Sequence, residues 1–568
     1  MKYAAILLLS ALAMAGGVHR DLAERMSSNS PEEPIPVSII VRGQLDGEYL
    51  ETATAGLSRT ARREIVVDAL RDLALSSQGD LLRFLRLSGA RDISPHWLGN
   101  FVFARVSSDQ IRRIAARDEV LFVEPAWPQG GLIEPVDRGP ADSGGEGIAW
   151  GVEKINAPDV WAMGYQGEGV IVGVIDTGVD YTHPDLADNM WSDSPAGEYY
   201  GYDFYDDDDD PMDDYGHGTH CAGSVAGDGS SGTQTGVAPA ASIMALRINY
   251  YSGGYPTWIE AMEWATDRNV DILTMSLGSG QANATLREAE EDLLAAGVYH
   301  SVAAGNDGPG TGTVSSSGDS PPPWFHPDQT YQAGTSAVVT VGATDSGDNV
   351  ASFSSRGPVT WWGSVAPWYD YADSGPLLDP DISGPGVNIT STSLGGGYEQ
   401  MSGTSMATPH LAGVAALMLS ANPDLTVAQL DSIIEITSVD LGSYGKDNSY
   451  GAGRVDAYEA VQTATILAGT AEASGAEVGG SSVLLSRVAP NPVSARASFQ
   501  LYTPAGGEAS IRVYDLAGRG VAVLEDAELS PGSHSYSWTV PRGIANGIYL
   551  IRAATPEGSA TTRMTVVR

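Results

Sequence analysis

From Trp150 to about Thr465, short and nearly unbroken apolar runs alternate with segments of helical period, and this alternation restricts what the chain can fold into more than any other feature. The runs are VIVGVIDTG from Val170, DILTMSLG from Asp271, YHSVAAGN from Tyr299 and VVTVGAT from Val338. A strand with one wet face alternates apolar and polar residues. A continuous run needs cover on both faces, as in a parallel sheet between helical layers. The intervening WIEAMEWATDRN and ATLREAEEDLLAAG carry apolar residues at helical spacing. The pattern therefore predicts an α/β layered domain over residues 150–465. Each run ends in polar or glycine residues, and open α/β sheets bind ligands at the carboxyl ends of their strands. Asp176, Ser276 and Asn306 are thus candidates for one shared cleft.

The flanks read differently. Residues 35–125 mix helical patterning, in REIVVDALRDLALSSQGDLLRFLRL, with the short strands NFVFARVSS and EVLFVEP, which predicts a small α+β domain. Residues 126–147 contain PQGGLIEPVDRGPADSGGEG, rich in glycine, proline and acid and without period, and read as an exposed, cleavable linker. A small-residue linker follows at 466–483. Residues 484–568 then alternate in ASFQLYTP, ASIRVYDLAG, HSYSWTV and GIYLIRAAT, which predicts an antiparallel β-sandwich. The start, MKYAAILLLSALAMA, reads as a secretory signal peptide over residues 1–15, too short to span a membrane. A secreted or cell-surface protein without stable membrane insertion is expected. One cysteine, Cys221, excludes a disulfide within the chain, and a formal charge of −40 excludes nucleic acid as a partner.

Chemistry concentrates in VIDTGVD with Asp176, GHGTHCAG with His217 and GTSMATPH with Ser405. A histidine takes the proton of a serine, and a buried aspartate fixes its tautomer. With these residues in the order Asp, His, Ser, the chain resembles the subtilisin-like serine peptidase (subtilase) family from Trp150 to about Ala460. The resemblance implies Ser405 as nucleophile, His217 as general base and then acid, Asp176 as its orienting carboxylate, and Asn306 as a side-chain donor to the oxyanion. It implies that Ser276, Leu277 and Gly278 pair with an extended substrate. It also implies a structural calcium ion near Asp185, Asp228 and Gln234, although Ser230 stands where the family usually has asparagine, and no catalytic cofactor. Ser405 opens a helix with Pro409 in its first turn, so the helix dipole favours negative charge at the reacting centre.

Seven aspartates, Asp206 to Asp210 with Asp213 and Asp214, precede the two histidines of GHGTHCAG. His217 and His220 with these carboxylates suggest a metal site, but HExxH is missing and His217 already belongs to the triad. His220 then reads as structural and Cys221 as packing behind the base. The aspartates read as a solvated face, with a second calcium site or an acidic wall favouring basic side chains as alternatives.

Residues 35–125 resemble the family's pro-domains, which assist folding and block the cleft until the enzyme itself cuts them away, here between about residues 126 and 147. The C-terminal segment, with VAPNPVS, IRVYDLAGRGV and ANGIYLIR, resembles the sorting domains of the type IX secretion system; a substrate-binding or adhesive β-sandwich is the competing reading. The implied partners are protein or peptide substrates, the chain's own pro-domain and the secretion machinery. Two other classes compete: a catalytically silent adhesion protein on a peptidase scaffold, and a calcium-dependent structural surface protein.

Overall fold

In the computed structural model, seven parallel strands form the central sheet in the order Gly201–Asp203, Ser242–Arg247, Ile171–Asp176, Ile272–Met275, Tyr299–Ala303, Val339–Thr344 and Ile382–Pro385. The structure describes residues 17–566, leaving out 29, 31, 46–49, 51–53, 55–56, 127–129, 141–146, 249–253, 281, 321–337, 362–376, 444, 475–483 and short stretches between 486 and 557. The expected signal peptide, residues 1–15, lies outside the described residues.

The continuous apolar runs have the predicted cause. Val172 and Val174 belong to one buried cluster with Ala222 and Val225 of the helix His217–Ala226 and Leu411 and Val414 of the helix Thr404–Ala421. Ile175, next along the strand, belongs to another cluster with Trp258 and Met262 of the helix Tyr255–Asp267 and Leu286 and Leu293 of the helix Ala284–Ala296. Successive side chains of one strand thus serve two helical layers. The four predicted runs are adjacent strands. Three further strands escaped the apolar criterion: Ser242–Arg247 ends in arginine, Ile382–Pro385 has four residues including a proline, and Gly201–Asp203 is a short edge.

The N-terminal module begins earlier than residue 35. Its five-stranded sheet takes in Gly17–Val18 beside Val120–Pro125, followed by Ile35–Val41, Phe101–Val106 and Arg91–His96. The helices Arg20–Ser28, Arg59–Ser77, Gly79–Ser88 and Ser108–Ala115 accompany it. It packs firmly on the α/β domain. Ile40, Phe101 and Phe122 share a buried cluster with Tyr255 and Trp258, and Val66 and Leu70 meet Ala295 and Ala296. At the rim, Arg71 pairs with Asp267 at 2.5 Å and Arg59 with Asp271 at 3.2 Å, while the Glu263 carboxylate accepts the amides of Trp97 and Leu98 at 2.7 and 2.9 Å.

The stretch expected to be an exposed linker is half-buried or exposed over residues 131–140, but it is paired rather than irregular. Residues 130–140 lie along the α/β domain as two short strands: Gly130–Leu132 pairs antiparallel with Leu277–Ser279, and Asp137–Pro140 joins the hairpin of Ile389–Ser393 and Gly397–Ser402 as a third strand. Backbone hydrogen bonds hold it, and these leave no side-chain period in a glycine-rich sequence.

The chain divides into two units, Met1–Ala468 and Gly469–Arg568. The second contains two antiparallel sheets, Leu484–Leu485, Arg496–Thr503 and Gly532–Thr539 in one, and Gly520–Leu529, Gly507–Asp515, Gly547–Thr555 and Gly558–Val566 in the other. Phe499 and Leu501 of the first share a buried cluster with Ile511, Val513 and Ile551 of the second. Among the described residues, no helix is long and apolar enough to cross a membrane.

Candidate active site

Asp176 ends a central strand and His217 begins a helix, so the two meet where a strand end faces a helix N-terminus. His217 Nδ1 donates to the Asp176 carboxylate, 2.8 Å from Oδ1 and 3.0 Å from Oδ2. The approach depends on Gly218: a Cβ there would lie 2.1 Å from the Gly178 carbonyl oxygen and 3.1 Å from Asp176 Cβ. Any side chain would push the helix off the strand. His217 Nε2, the nitrogen turned from Asp176, is buried without a hydrogen-bond partner. Burial lowers the proton affinity of this imidazole, but the Asp176 charge and the Cys221 sulfur outweigh it and hold the pKa well above 6.5.

Ser405 is the second residue of its helix, and Pro409 lies inside that helix, beyond the first turn where the sequence suggested it. Proline has no amide hydrogen, so the carbonyl of Ser405, four residues back, loses its helical donor. Two side chains replace it: Ser276 Oγ donates to the Ser405 carbonyl at 3.2 Å and Cys221 Sγ at 3.5 Å. Cys221 therefore packs behind His217, 3.8 Å from its Nδ1, and burial pushes the thiol pKa up. His220 Nε2 bonds the Ile389 carbonyl at 3.0 Å, and burial lowers its pKa to about 3, so it is a neutral structural histidine.

Asn306 follows the strand Tyr299–Ala303. Its Oδ1 accepts the amide and the hydroxyl of Thr404 at 3.0 and 3.1 Å, which turns Nδ2 outward, where it donates to the Glu134 carbonyl at 2.9 Å. The hydroxyl of Ser405 donates to the Ile133 carbonyl at 2.8 Å, and the Ile133 amide donates to the Ser276 carbonyl at 3.1 Å. Ser276, Leu277, Gly278, Asn306 and Ser405 thus all touch one stretch of extended peptide, whereas no hydrogen bond joins His217 Nε2 to Ser405. A hydroxyl against a peptide carbonyl, a buried imidazole–carboxylate pair and an outward amide N–H can together carry out acyl transfer.

A family model described as the subtilase family matches residues 167–453, half of the chain. The chain belongs to the subtilase family. It is 35% identical over 306 residues to subtilisin E of Bacillus subtilis (strain 168), spanning 53% of this chain and 69% of that protein. The identity to the subtilisin of Bacillus pumilus is again 35% over 306 residues, covering 53% of this chain and 96% of that one. Bacillopeptidase F of Bacillus subtilis (strain 168) is 30% identical over 460 residues, 74% of this chain and 30% of that one. This subtilase is accordingly a subtilisin-like serine endopeptidase with a mixed α/β fold.

The side chains expected to hold calcium are bonded to other protein groups. Asp185 Oδ1 accepts the Ser231 amide at 2.6 Å and the Ser230 hydroxyl at 3.3 Å, and Oδ2 accepts the Tyr398 hydroxyl at 2.6 Å. Gln234 Nε2 donates to the carbonyls of Gly227 and Gly236 at 2.7 and 3.0 Å, and Asp228 Oδ1 accepts the Ser230 amide at 2.9 Å. Calcium needs six to eight oxygen atoms converging with their lone pairs free. As arranged, these residues do not fit the ion. Among the described residues, the only group of three or more His, Cys, Asp or Glu side chains with ligand atoms within 4.8 Å of one another is Asp176, His217 and Cys221. That group is the Asp176–His217 pair with its thiol neighbour, and none of the aspartates from Asp206 to Asp214 belongs to it.

Within the acidic stretch, Asp206 to Asp210 and Asp214 are exposed, but Asp213 is buried. Asp213 accepts the amides of Tyr215, Gly216 and Thr219 and the hydroxyls of Thr177 and Thr219, at 2.6–2.9 Å. It ties the residue after Asp176 to the first turn of the His217 helix. A run of like residues carries no signal of which one turns inward, so the solvated face expected for the run does not extend to Asp213. Arg247 gathers Asp203, Asp206 and Asp214 around one guanidinium.

Proposed function

We propose that this subtilase is a secreted serine endopeptidase made as a self-processing precursor, and the observation that carries the proposal is the Ser405 hydroxyl lying on a peptide carbonyl beside the Asp176–His217 pair. Ser405 Oγ adds to the carbonyl carbon of a bound peptide while its proton passes to His217 Nε2. Asp176 holds the imidazole so that Nδ1 keeps its hydrogen, and it stabilises the imidazolium. Asn306 Nδ2 donates to the oxyanion. His217 then protonates the leaving amine, and water hydrolyses the acyl ester at Ser405. No cofactor enters these steps, and the Asp185 loop holds itself by hydrogen bonds in place of calcium.

The N-terminal module acts as the pro-domain: it presents the chain to Ser405 and covers the domain beside the cleft. The C-terminal unit acts as an export signal of the type IX kind. Labelling by a fluorophosphonate, lost in Ser405→Ala, tests the peptidase reading, and an unlabelled wild-type enzyme would overturn it. A chain truncated after about residue 480 should stay inside the cell; export at the normal level would favour an adhesive role for that unit.

A further inference from the structure

The peptide in the cleft is the enzyme's own chain. Gly130–Leu132 pairs with the cleft edge so that Gly131 faces Gly278 and Leu132 faces Leu277, and the Ile133 amide continues the ladder onto the Ser276 carbonyl at 3.1 Å. Past Ile133 the chain crosses to the opposite wall. There the Val136 amide donates to the Ser402 carbonyl at 2.7 Å, and Asp137–Pro140 runs antiparallel to Gly397–Ser402. One continuous segment is therefore hydrogen-bonded on both sides of Ser405, whose hydroxyl meets it at the Ile133 carbonyl, 2.8 Å away.

The two sides are held unequally. Upstream, the contacts are mainly backbone. Downstream, Glu134 Oε2 accepts the Tyr215 hydroxyl at 2.6 Å, and Arg138 grips Glu399 through Nε at 2.7 Å and Nη2 at 3.0 Å. The Arg138 guanidinium also lies over the Tyr215 ring and donates to the Tyr215 carbonyl at 3.2 Å. A bidentate arginine–carboxylate pair backed by an aromatic face is among the stronger polar anchors a surface offers.

Resting on the reading of Ser405 as the nucleophile, we propose that this enzyme cuts its own chain at the Ile133–Glu134 bond and that the strand Asp137–Pro140 then stays in the leaving-group half of the cleft, pinned by Arg138. Ser405 Oγ adds to the Ile133 carbonyl carbon, and its proton goes to His217 Nε2. As the oxyanion forms, the Ile133 oxygen exchanges the Ser405 hydroxyl for Asn306 Nδ2, which gives up the Glu134 carbonyl. The carbon–nitrogen bond breaks, His217 returns the proton to the Glu134 nitrogen, and water releases Ile133 as a carboxylate.

The neighbouring Glu134–Pro135 bond is the alternative, since Asn306 Nδ2 touches the Glu134 oxygen. Cutting there requires the strand to slip by one residue, which turns every side chain of residues 130–133 to the other face and breaks the pairing with Leu277 and Gly278. The retained strand lies where the residues after the cut of any other substrate must bind. The processed enzyme should therefore favour substrates with a short leaving group.

N-terminal sequencing of processed wild-type protein, with the full-length Ser405→Ala chain as the uncut control, tests the bond. The expected new terminus is Glu134. Any other terminus, Pro135 included, or an uncut wild-type chain that still takes up a fluorophosphonate, overturns the assignment while leaving the peptidase reading standing. A chain neither cut nor labelled overturns both. Retention is tested on processed enzyme by comparing kcat/KM for a peptide p-nitroanilide with that for the same peptide extended by several residues after the cut. Arg138→Ala should raise the extended-to-anilide ratio several-fold, and Glu399→Gln should do the same should the first variant fold poorly. An unchanged ratio in a folded variant overturns retention.

Discussion

Glu124 Oε1 accepts the backbone amide of Thr285 at 2.7 Å, and Oε2 accepts that of Ala284 at 3.2 Å, so a carboxylate of the N-terminal module caps a helix of the peptidase domain. Asp292 of the same helix accepts the amide of Gly99 in return, at 2.7 Å. Burial pushes Glu124 up to about 7 and Asp292 up to about 8, against these hydrogen bonds. Both folded-state values are raised, so the stability the two groups confer is fully present below their ordinary values of 4.5 and 3.8. It is lost as pH rises through about 7 and about 8. Within those windows each group weakens the closed form by up to about 1.4 kcal/mol per pH unit. The melting temperature of the full-length Ser405→Ala chain should therefore fall between pH 5 and 8, and Glu124→Gln should flatten the fall. A melting temperature level across that range contradicts the coupling.

The proton affinity of His217 sets the pH at which it works as a base. With its pKa held well above 6.5 by Asp176 against the effect of burial, kcat/KM should rise about tenfold per pH unit on the acid side and level off at alkaline pH. Asp176→Asn should lower kcat by about 10⁴. A midpoint below pH 6.5 in the pH–rate profile would count against the Asp176–His217 coupling.

Asn306 is held by Thr404 with Nδ2 facing the peptide, so its contribution belongs to the transition state. Asn306→Ala should lower kcat by about 10²–10³ with KM little changed. Thr404→Val, which removes one of the two bonds orienting the amide, should cause a smaller loss of the same kind. A raised KM with kcat unchanged would assign Asn306 to ground-state binding.

Cys221 touches the Ser405 carbonyl and His217 Nδ1 but has no step in the chemistry. Cys221→Ala should keep most of the activity, because Ser276 Oγ still serves the Ser405 carbonyl. Mercurials that reach the buried thiol should inhibit the wild type and spare the alanine variant. An inactive alanine variant would refute the packing role.

The Asp185 loop should not respond to chelators. Its carboxylate is engaged by Ser231, Ser230 and Tyr398, so EDTA should leave the melting temperature unchanged, whereas Tyr398→Phe should lower it by removing the 2.6 Å bond to Asp185. A rise of several degrees on adding calcium would show that the loop reopens around an ion.

Asp176, His217, Ser405 and Asn306 were legible in the sequence because the motifs that carry them resemble those of the subtilase family, and each sits at a junction with a local signature. A buried strand ends in a polar residue, glycines allow a helix start to approach it, and a small-residue turn opens a long apolar helix. Local signatures also located the four apolar strands of the sheet. What the sequence by itself determined is the α/β scaffold, which rests on periodicity, while the chemistry it pointed to came through motifs that resemble those of the subtilase family. Only the tertiary structure decided that residues 130–140 fill the cleft, that Asp213 alone of the acidic run turns inward, that Glu124 caps a helix of another module, and that Asp185 spends its oxygens on protein donors. Those outcomes depend on hydrogen bonds between segments far apart in the chain. A backbone amide or one carboxylate among many leaves no pattern in the sequence by which such a partner could be read.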